Sequence, residues 1–389
     1  MSRLPRIAVV GHPLAAEENR LAFGGWTRFG VDLVAPREWK ARSLGHVYIS
    51  FGRRHGRTPD EVRDDGDGRP SLHALSIWAS GRNSLFLWRG LGPLLDALRP
   101  DLVYCWEEPW CLSAWQARRS ARRLGVPLVF YTAENRRKRL PWPFAALMRA
   151  VFREARACVA PTAEIADTVR SAGFAGPVLT IPLWIRDRRP VRADPEARIL
   201  AYVGRLIPLK RVHLLVEALP LLPGYRLRVL GDGPDRGRLA GLAASLGVAD
   251  RVELLGHVDN AVLEDRLEGV SLLVLPTGEN ARQAEQFGKA ALEGVSCGLP
   301  VLTSRGGNLA RLAEAFPTLA ARDLDTPAEM AAAISDRMAA YPDARALAGA
   351  REKALARFGA AAVARALEAS FAALAGTSAA VPPGVETPA

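Results

Sequence analysis

Long apolar runs are the first thing this sequence lacks. No stretch of its 389 residues reaches the ~18 consecutive apolar residues a membrane-spanning helix needs, and residues 7–11 lack the long apolar region and cleavage site of a secretory signal. A cytosolic chain is the expectation, with any contact to the inner face of the plasma membrane peripheral. Cysteine is also scarce: Cys105, Cys111, Cys158 and Cys297 form no C-x-x-C pair, which excludes a zinc ribbon or a thioredoxin-type redox motif and fits reduced thiols. No metal site and no bound cofactor are implied. The G-x-G-x-x-G fingerprint follows neither the first strand pattern nor the one at residue 199, which argues against a dinucleotide-dependent dehydrogenase. Lysine is rare too, supplying only five of the 52 basic residues. The net charge of +11 is therefore mostly arginine, part of which a GC-rich coding sequence supplies without selection. A charge of this sign still points to anionic lipid, phosphorylated substrates or nucleic acid as partner classes. Against the arginine background, Lys210 and Lys289 stand out.

What is present is a two-domain α/β pattern. The length suits two cores of roughly 100 to 200 residues each. Short β-rich runs at 7–10, 31–35, 102–105, 128–131, 158–160 and 178–181 alternate with helical stretches such as 113–124 and 143–155. The rhythm resumes with strands at 199–203, 226–230, 252–255, 272–275 and 301–303 and helices near 210–221, 235–246, 261–269 and 287–298. Strand, helix, strand at this spacing implies right-handed parallel crossovers and two doubly wound sheets, with ligands outside the carboxyl ends of the strands, in a cleft between the domains. Residues 182–197, with three prolines and a dense charge run, are the expected linker. Domains are therefore expected at 1–185 and 186–356. A polar insertion at 53–70 has no periodicity, and the Ala- and Pro-rich tail from Gly376 has the composition of a disordered segment.

The most informative stretch is EQFGKAALE, which places Glu285 and Glu293 eight positions apart before GVSCGLPVLTS. A helix is expected from near Phe287 to Gly298 and Pro300, since glycine takes the left-handed cap and proline cannot continue. N–H groups around Phe287, Gly288 and Lys289 would then be unpaired at the positive end of the helix dipole, where an anion is favoured. Upstream, AYVGRLIPLKR offers Arg205 after a strand, where a guanidinium reaches two phosphate oxygens, and Lys210 at a helix start, where a cation is disfavoured unless something anionic is near. VLGDGP contributes Gly231 and Gly233, and LLGHV contributes His257 and Val258.

These four segments, in this order and spacing across residues 198–310, resemble the retaining glycosyltransferases of family 4, which have the GT-B fold of two Rossmann-like doubly wound parallel-sheet domains facing across a cleft. The resemblance implies a nucleoside diphosphate sugar as donor, with its diphosphate clamped by Arg205 and Lys210. It places Glu285 near the transferred sugar and Glu293 on the donor ribose hydroxyls. The 229–234 and 254–258 loops would line the nucleotide. It also implies that the last helix, about 357–375, crosses back onto the first domain. Each residue has a plainer reading. Glu293 could be a solvated helix glutamate, Glu285 a carboxylate favoured by the helix dipole, and Gly231 and Gly233 simple turn glycines.

In the first domain, Gly11 and His12 end the first strand, on the side where the fold places sugar and acceptor. After the third main strand stands WEEPW. Many relatives carry a histidine there, as H-E-P, whereas this chain has Glu107 and Glu108, like a subgroup reading E-E-P-W-S. Adjacent carboxylates at a strand end suit orientation of an acceptor hydroxyl, or one of them caps the next helix. The run TAENRRKRLPWPF matches that subgroup at Asn135, Lys138, Arg139 and Pro141. Its four cations beside Trp142 and Phe144, with a second basic face at Arg118, Arg119, Arg122 and Arg123, make an anionic membrane surface a candidate partner. The aromatics are not interleaved along a basic groove, so nucleic acid is not an expected partner.

The reading is thus a metal-independent transferase that moves a sugar onto a hydroxyl of a saccharide or lipid-linked saccharide, with retention of configuration, in polysaccharide or glycolipid assembly. Glu285, Glu107 and Glu108 are its catalytic candidates. The alternatives are a GT-B epimerase or phosphorylase using the same donor site, or a basic binding protein that keeps only the fold.

Overall fold

The computed structural model describes residues 4–41, 46–50, 70–279 and 285–375. The polar insertion, apart from its last residue, and the tail from Gly376 lie outside the described residues. The chain forms two compact units, Met1–Pro182 with Ala360–Ala389, and Leu183–Gly359. Each is built on a parallel sheet of the kind the strand and helix rhythm predicts, and together they give the GT-B fold.

In the first unit seven strands lie in the spatial order Val178–Thr180, Ala157–Ala160, Leu128–Tyr131, Leu102–Cys105, Arg6–Val10, Gly30–Pro36 and Ser71–Leu75, all parallel. Runs such as LVYC and LVFY are buried at every position. That is the signature of strands covered on both faces by crossover helices. One charge interrupts the apolar sheet. Asp32 is fully buried, and it accepts hydrogen bonds from Arg6 Nε at 2.8 Å and His73 Nε2 at 3.0 Å. Burial pushes its pKa up, but these two partners outweigh burial and hold it below the ordinary carboxylate value. The helix Ala360–Ala375 returns to this unit. Its Glu368 accepts the N–H groups of Thr27 and Arg28, each at 2.6 Å, and Phe371 packs edge-on against Tyr104 and Trp26.

The second unit has six parallel strands in the order Val252–Gly256, Arg226–Leu230, Ile199–Val203, Leu272–Leu275, Val301–Ser304 and Leu319–Arg322. In each sheet the first strand of the unit has a sequence-near neighbour on one side and a distant one on the other. The order reverses there, so a crevice opens beyond the carboxyl ends of Arg6–Val10 and Ile199–Val203.

Several local expectations are corrected. Strands Ser71–Leu75 and Leu319–Arg322 were not anticipated. The helix expected near 210–221 is broken into a 3-10 turn Pro208–Lys210, the helix Val212–Ala218 and a second 3-10 turn, because Arg211 takes a left-handed φ of 49°. The helix expected from Phe287 begins at Lys289: Gly288 is its N-cap at φ 86°, and Phe287 turns into the core against Phe358. Segment 182–197 is not a loose tether, since Ile185 and Val191 are buried in the second unit's core.

Candidate active site

In the second unit the loop after Ile199–Val203 is shaped by glycines. A Cβ on Gly231 would sit 1.8 Å from the Gly204 carbonyl oxygen, and one on Gly233 would sit 2.3 Å from that of Leu206. Leu206 N–H donates to the Asp232 carbonyl at 2.9 Å, so the 204–206 and 231–235 loops are stitched together. The structure thus gives Gly231 and Gly233 a backbone-packing duty before any duty toward a ligand.

This stitching fixes where the charged residues stand. Tyr202 is buried and donates its hydroxyl to the Arg205 carbonyl at 2.9 Å. Burial raises its pKa, Arg205 lowers it and Glu285 raises it, so both charges act on the same phenol. Lys210 Nζ donates to Glu285 Oε2 at 2.9 Å and to Thr277 Oγ1 at 3.2 Å. The other Glu285 oxygen accepts the Gly288 N–H at 3.2 Å, which places a carboxylate at the positive end of the helix Lys289–Ser296. Lys210 and Glu285 therefore meet at the Gly288 backbone, and Arg205 is tied to the neighbouring Tyr202 through its carbonyl. Arg205 is exposed and makes no ion pair among the described residues, and Lys289 is half-buried.

Glu293 lies on the second turn of that helix and meets a residue that the sequence reading missed. Arg188, nearly fully buried, donates to Asn260 Oδ1 at 2.8 Å and to Glu264 at 3.3 Å, and lies 3.7 Å from Glu293 Oε2. It ties the turn after His257 and Val258 to the glutamate helix. His257 is exposed, and Val258 packs partly on the core. A run of three arginines at 186–189 gave no sign of which one turns inward.

In the first unit the two adjacent glutamates part company. Glu107 is buried and accepts the His12 backbone N–H at 2.6 Å, while its oxygens lie 2.8 and 2.9 Å from His12 Nδ1. With Glu107 as the acceptor, Nδ1 carries a ring hydrogen, and in the neutral imidazole Nε2 keeps its lone pair. The imidazole is further fixed by stacking on Trp39 at 4.4 Å and by the edge of Phe86. Gly11 allows this approach, since a Cβ there would lie 2.8 Å from the Trp106 carbonyl oxygen. Glu108 points the other way. It accepts from Thr132 Oγ1 at 2.7 Å and from the Ala133 N–H at 2.9 Å, and burial pushes its pKa up to about 7.

Beyond Glu108 lies a pocket of about 160 Å³ in which Thr132, Glu134, Arg136 and Lys138 face an apolar wall that includes Trp110 and Met148. Lys138 pairs with Glu134 and stands over the Trp110 ring. Asn135 is buried with its side-chain N–H groups unpaired, and Arg139 is exposed. Among the described residues no group of three or more metal-ligating side chains stands together, and no helix is long and apolar enough to cross a membrane.

Two family models match the chain: Glycosyltransferase Family 4 over residues 39–189 and Glycosyl transferases group 1 over residues 185–349. A D-inositol 3-phosphate glycosyltransferase of Actinosynnema mirum is 32% identical over 234 residues, covering 50% of this chain and 54% of the relative. The lipopolysaccharide core biosynthesis glycosyltransferase LpsE of Rhizobium meliloti is 31% identical over 161 residues, or 40% of this chain and 45% of that one. The chain spans between a quarter and about half of the length of the curated relatives it matches. Among solved structures, Anabaena HepE in complex with UDP-glucose superposes with a TM-score of 0.66 at 16% identity, covering 94% of this chain and 99% of that one. Two glycosyltransferase family models thus match the chain in succession, meeting at residues 185–189, and the solved structures it superposes on share its GT-B fold.

Proposed function

We propose that the protein transfers a sugar from a nucleoside diphosphate donor to a hydroxyl of a saccharide or lipid-linked saccharide, with retention at the anomeric carbon and without a metal ion. The observation that carries this reading is the Lys210–Glu285 pair at the head of the glutamate helix, with the Arg205 backbone held by Tyr202 at the order reversal of the second sheet. A diphosphate brings negative charge to that site, where the Arg205 guanidinium makes no ion pair among the described residues and the first-turn N–H groups are oriented. The complex of HepE with UDP-glucose supports a nucleotide-sugar as the donor class, and the names of the relatives support surface glycan or glycolipid assembly.

In the reaction the bond from the anomeric carbon to the diphosphate oxygen breaks, and the acceptor oxygen bonds to that carbon on the same face. The acceptor proton passes to the departing diphosphate. Arg205, Lys210 and the 287–289 backbone stabilise the leaving charge. Glu293, steadied by Arg188, takes the ribose hydroxyls. His12 offers Nε2 as a hydrogen-bond acceptor to a sugar or acceptor hydroxyl, while Glu107 acts as the positioning residue behind it. Glu108, Asn135, Lys138 and Arg139 border the acceptor side.

The test is thermal denaturation with UDP, GDP, ADP and TDP. A ligand at 100 times its Kd adds about 2.7 kcal/mol to the folded state. One nucleotide family should stabilise the protein, and Arg205→Ala and Glu293→Ala should abolish the shift while leaving the ligand-free midpoint within a few degrees of the wild type. A folded wild type that responds to none of the four sinks the reading. Product configuration is then read by the anomeric coupling constant in the proton spectrum.

A further inference from the structure

The first unit carries two arginine-rich surfaces, and their ion pairing separates them. On the helix Leu112–Leu124, Arg118 is buried against Glu154, Arg123 is bonded to Asp96 at 2.7 Å and to the Gly92 carbonyl at 3.1 Å, and Arg119 lies over the Trp115 ring at 4.9 Å. Most of that charge is already engaged within the protein. The segment from Asn135 to Arg153 is different. It contains six cations, Arg136, Arg137, Lys138, Arg139, Arg149 and Arg153, and no acidic residue. Lys138 is neutralised by Glu134. Arg137, Arg139 and Arg149 are exposed and make no ion pair among the described residues, and Arg153 is exposed with its nearest carboxylate at 3.9 Å.

Beside these cations stands Trp142, at 79% the most exposed large apolar side chain among the described residues. On the helix Trp142–Glu154, spacings of seven and four residues put Trp142, Arg149 and Arg153 on one stripe, with Ala146 between them. An indole left in water next to exposed guanidinium groups, three of which make no ion pair among the described residues, has the chemistry of a bilayer interface. The ring settles at headgroup depth, and each cation gains from the negative surface potential. A single exposed aromatic is a poor platform for stacking nucleic-acid bases.

We propose that this face, centred on Trp142 with Arg137, Arg139, Arg149 and Arg153, docks the protein on an anionic phospholipid bilayer. The docking is independent of which sugar is transferred, and it brings the pocket bordered by Arg136, Lys138 and Met148 to the lipid surface.

The experiment is co-flotation of the full chain with vesicles of phosphatidylcholine alone or mixed with phosphatidylglycerol. The protein should float with the mixed vesicles and not with phosphatidylcholine alone, and high salt should release it. Loss of a cation is worth about fivefold in partitioning, equivalent to about 1 kcal/mol. The Arg137→Ala/Arg139→Ala variant should therefore bind roughly 25-fold more weakly, Trp142→Ala should also weaken binding, and Arg119→Ala/Arg122→Ala should float like the wild type. All these side chains are exposed, so unchanged thermal midpoints show that no variant has unfolded. Equal flotation on both vesicle types, an equal loss in the Arg119/Arg122 control, or binding to a homopolymer RNA without binding to vesicles would each overturn the proposal. Stabilisation by a nucleoside diphosphate is measured on the same variants. It should persist in all of them, which keeps a failure of docking distinct from a failure of the donor site.

Discussion

Arg188 shows how much one buried cation can organise. Its side chain reaches Asn260, Glu264 and Glu293, whereas the adjacent Arg189 is exposed and pairs with Asp265 at the surface. Removing one partner of a buried ion pair costs about 3–5 kcal/mol when the remaining charge stays dry. Glu264 and Glu293 are 16% and 20% exposed, so water can reach them. Arg188→Met should accordingly destabilise the second unit by about 2–3 kcal/mol, seen as a lower urea midpoint, and should weaken nucleotide binding as Glu293→Ala does. A midpoint equal to the wild type would mean that the hub is not stabilising. Glu108 supplies a second residue-scale prediction. Its folded-state pKa of about 7 lies above the ordinary glutamate value, so the folded state holds the extra proton. The contribution of Glu108 to stability is then greatest at acid pH and falls as pH rises from about 4.5 through about 7, by up to about 3 kcal/mol at 1.36 kcal/mol per unit. Glu108→Gln should remove this slope, so that the variant gains on the wild type between pH 5 and 8 in a series of melts. A parallel pair of pH profiles would show that Glu108 does not carry the effect.

At the scale of elements, glycine separates close approach from open helix. At Gly231 an added Cβ runs into the Gly204 carbonyl, with backbone on both sides and nowhere to yield, whereas Gly241, within the helix Arg236–Ser245, has nothing within 4 Å. Gly231→Ala should cost about 3 kcal/mol or more, while Gly241→Ala should stabilise by about 0.5–1 kcal/mol through helix propensity. Denaturation midpoints that move in the same direction would refute the assignment. The same contrast explains what was legible in the sequence. Strands covered on both faces announce themselves as short apolar runs, so Leu102–Cys105 or Leu272–Leu275 could be read directly. Ser71–Leu75, with a histidine whose partner Asp32 lies 41 positions away, and Leu319–Arg322, ending in arginine, carry no such run. The glutamate helix was placed two residues early because Phe287 reads as helical until Gly288 is seen to break the backbone at φ 86°. Within the site, Arg205, Lys210, Glu285 and Glu293 were legible from motif spacing. The inward turn of Arg188, and the split of Glu107 toward His12 and Glu108 toward Thr132, depend on contacts 70 to 95 positions apart or on strand-end geometry that spacing does not encode.

For the whole molecule the division into units has an energetic consequence. The second unit is one continuous segment with its own buried core, whereas the first is completed only when the chain comes back as Ala360–Ala375. Phe371 is fully buried in that return helix, in contact with Trp26 and Tyr104, and Glu368 caps two backbone N–H groups at 2.6 Å. Truncating a buried phenylalanine costs about 3–5 kcal/mol, and here that cost falls on the first unit. The donor site lies wholly in the other one. Calorimetry of Phe371→Ala should therefore show one transition lowered, and it should be the one that a nucleoside diphosphate does not shift. The nucleotide-responsive transition should stay where it is in the wild type. If both transitions fall together, or the responsive one falls alone, the last helix stabilises the molecule as a single cooperative body and the two cores do not melt independently.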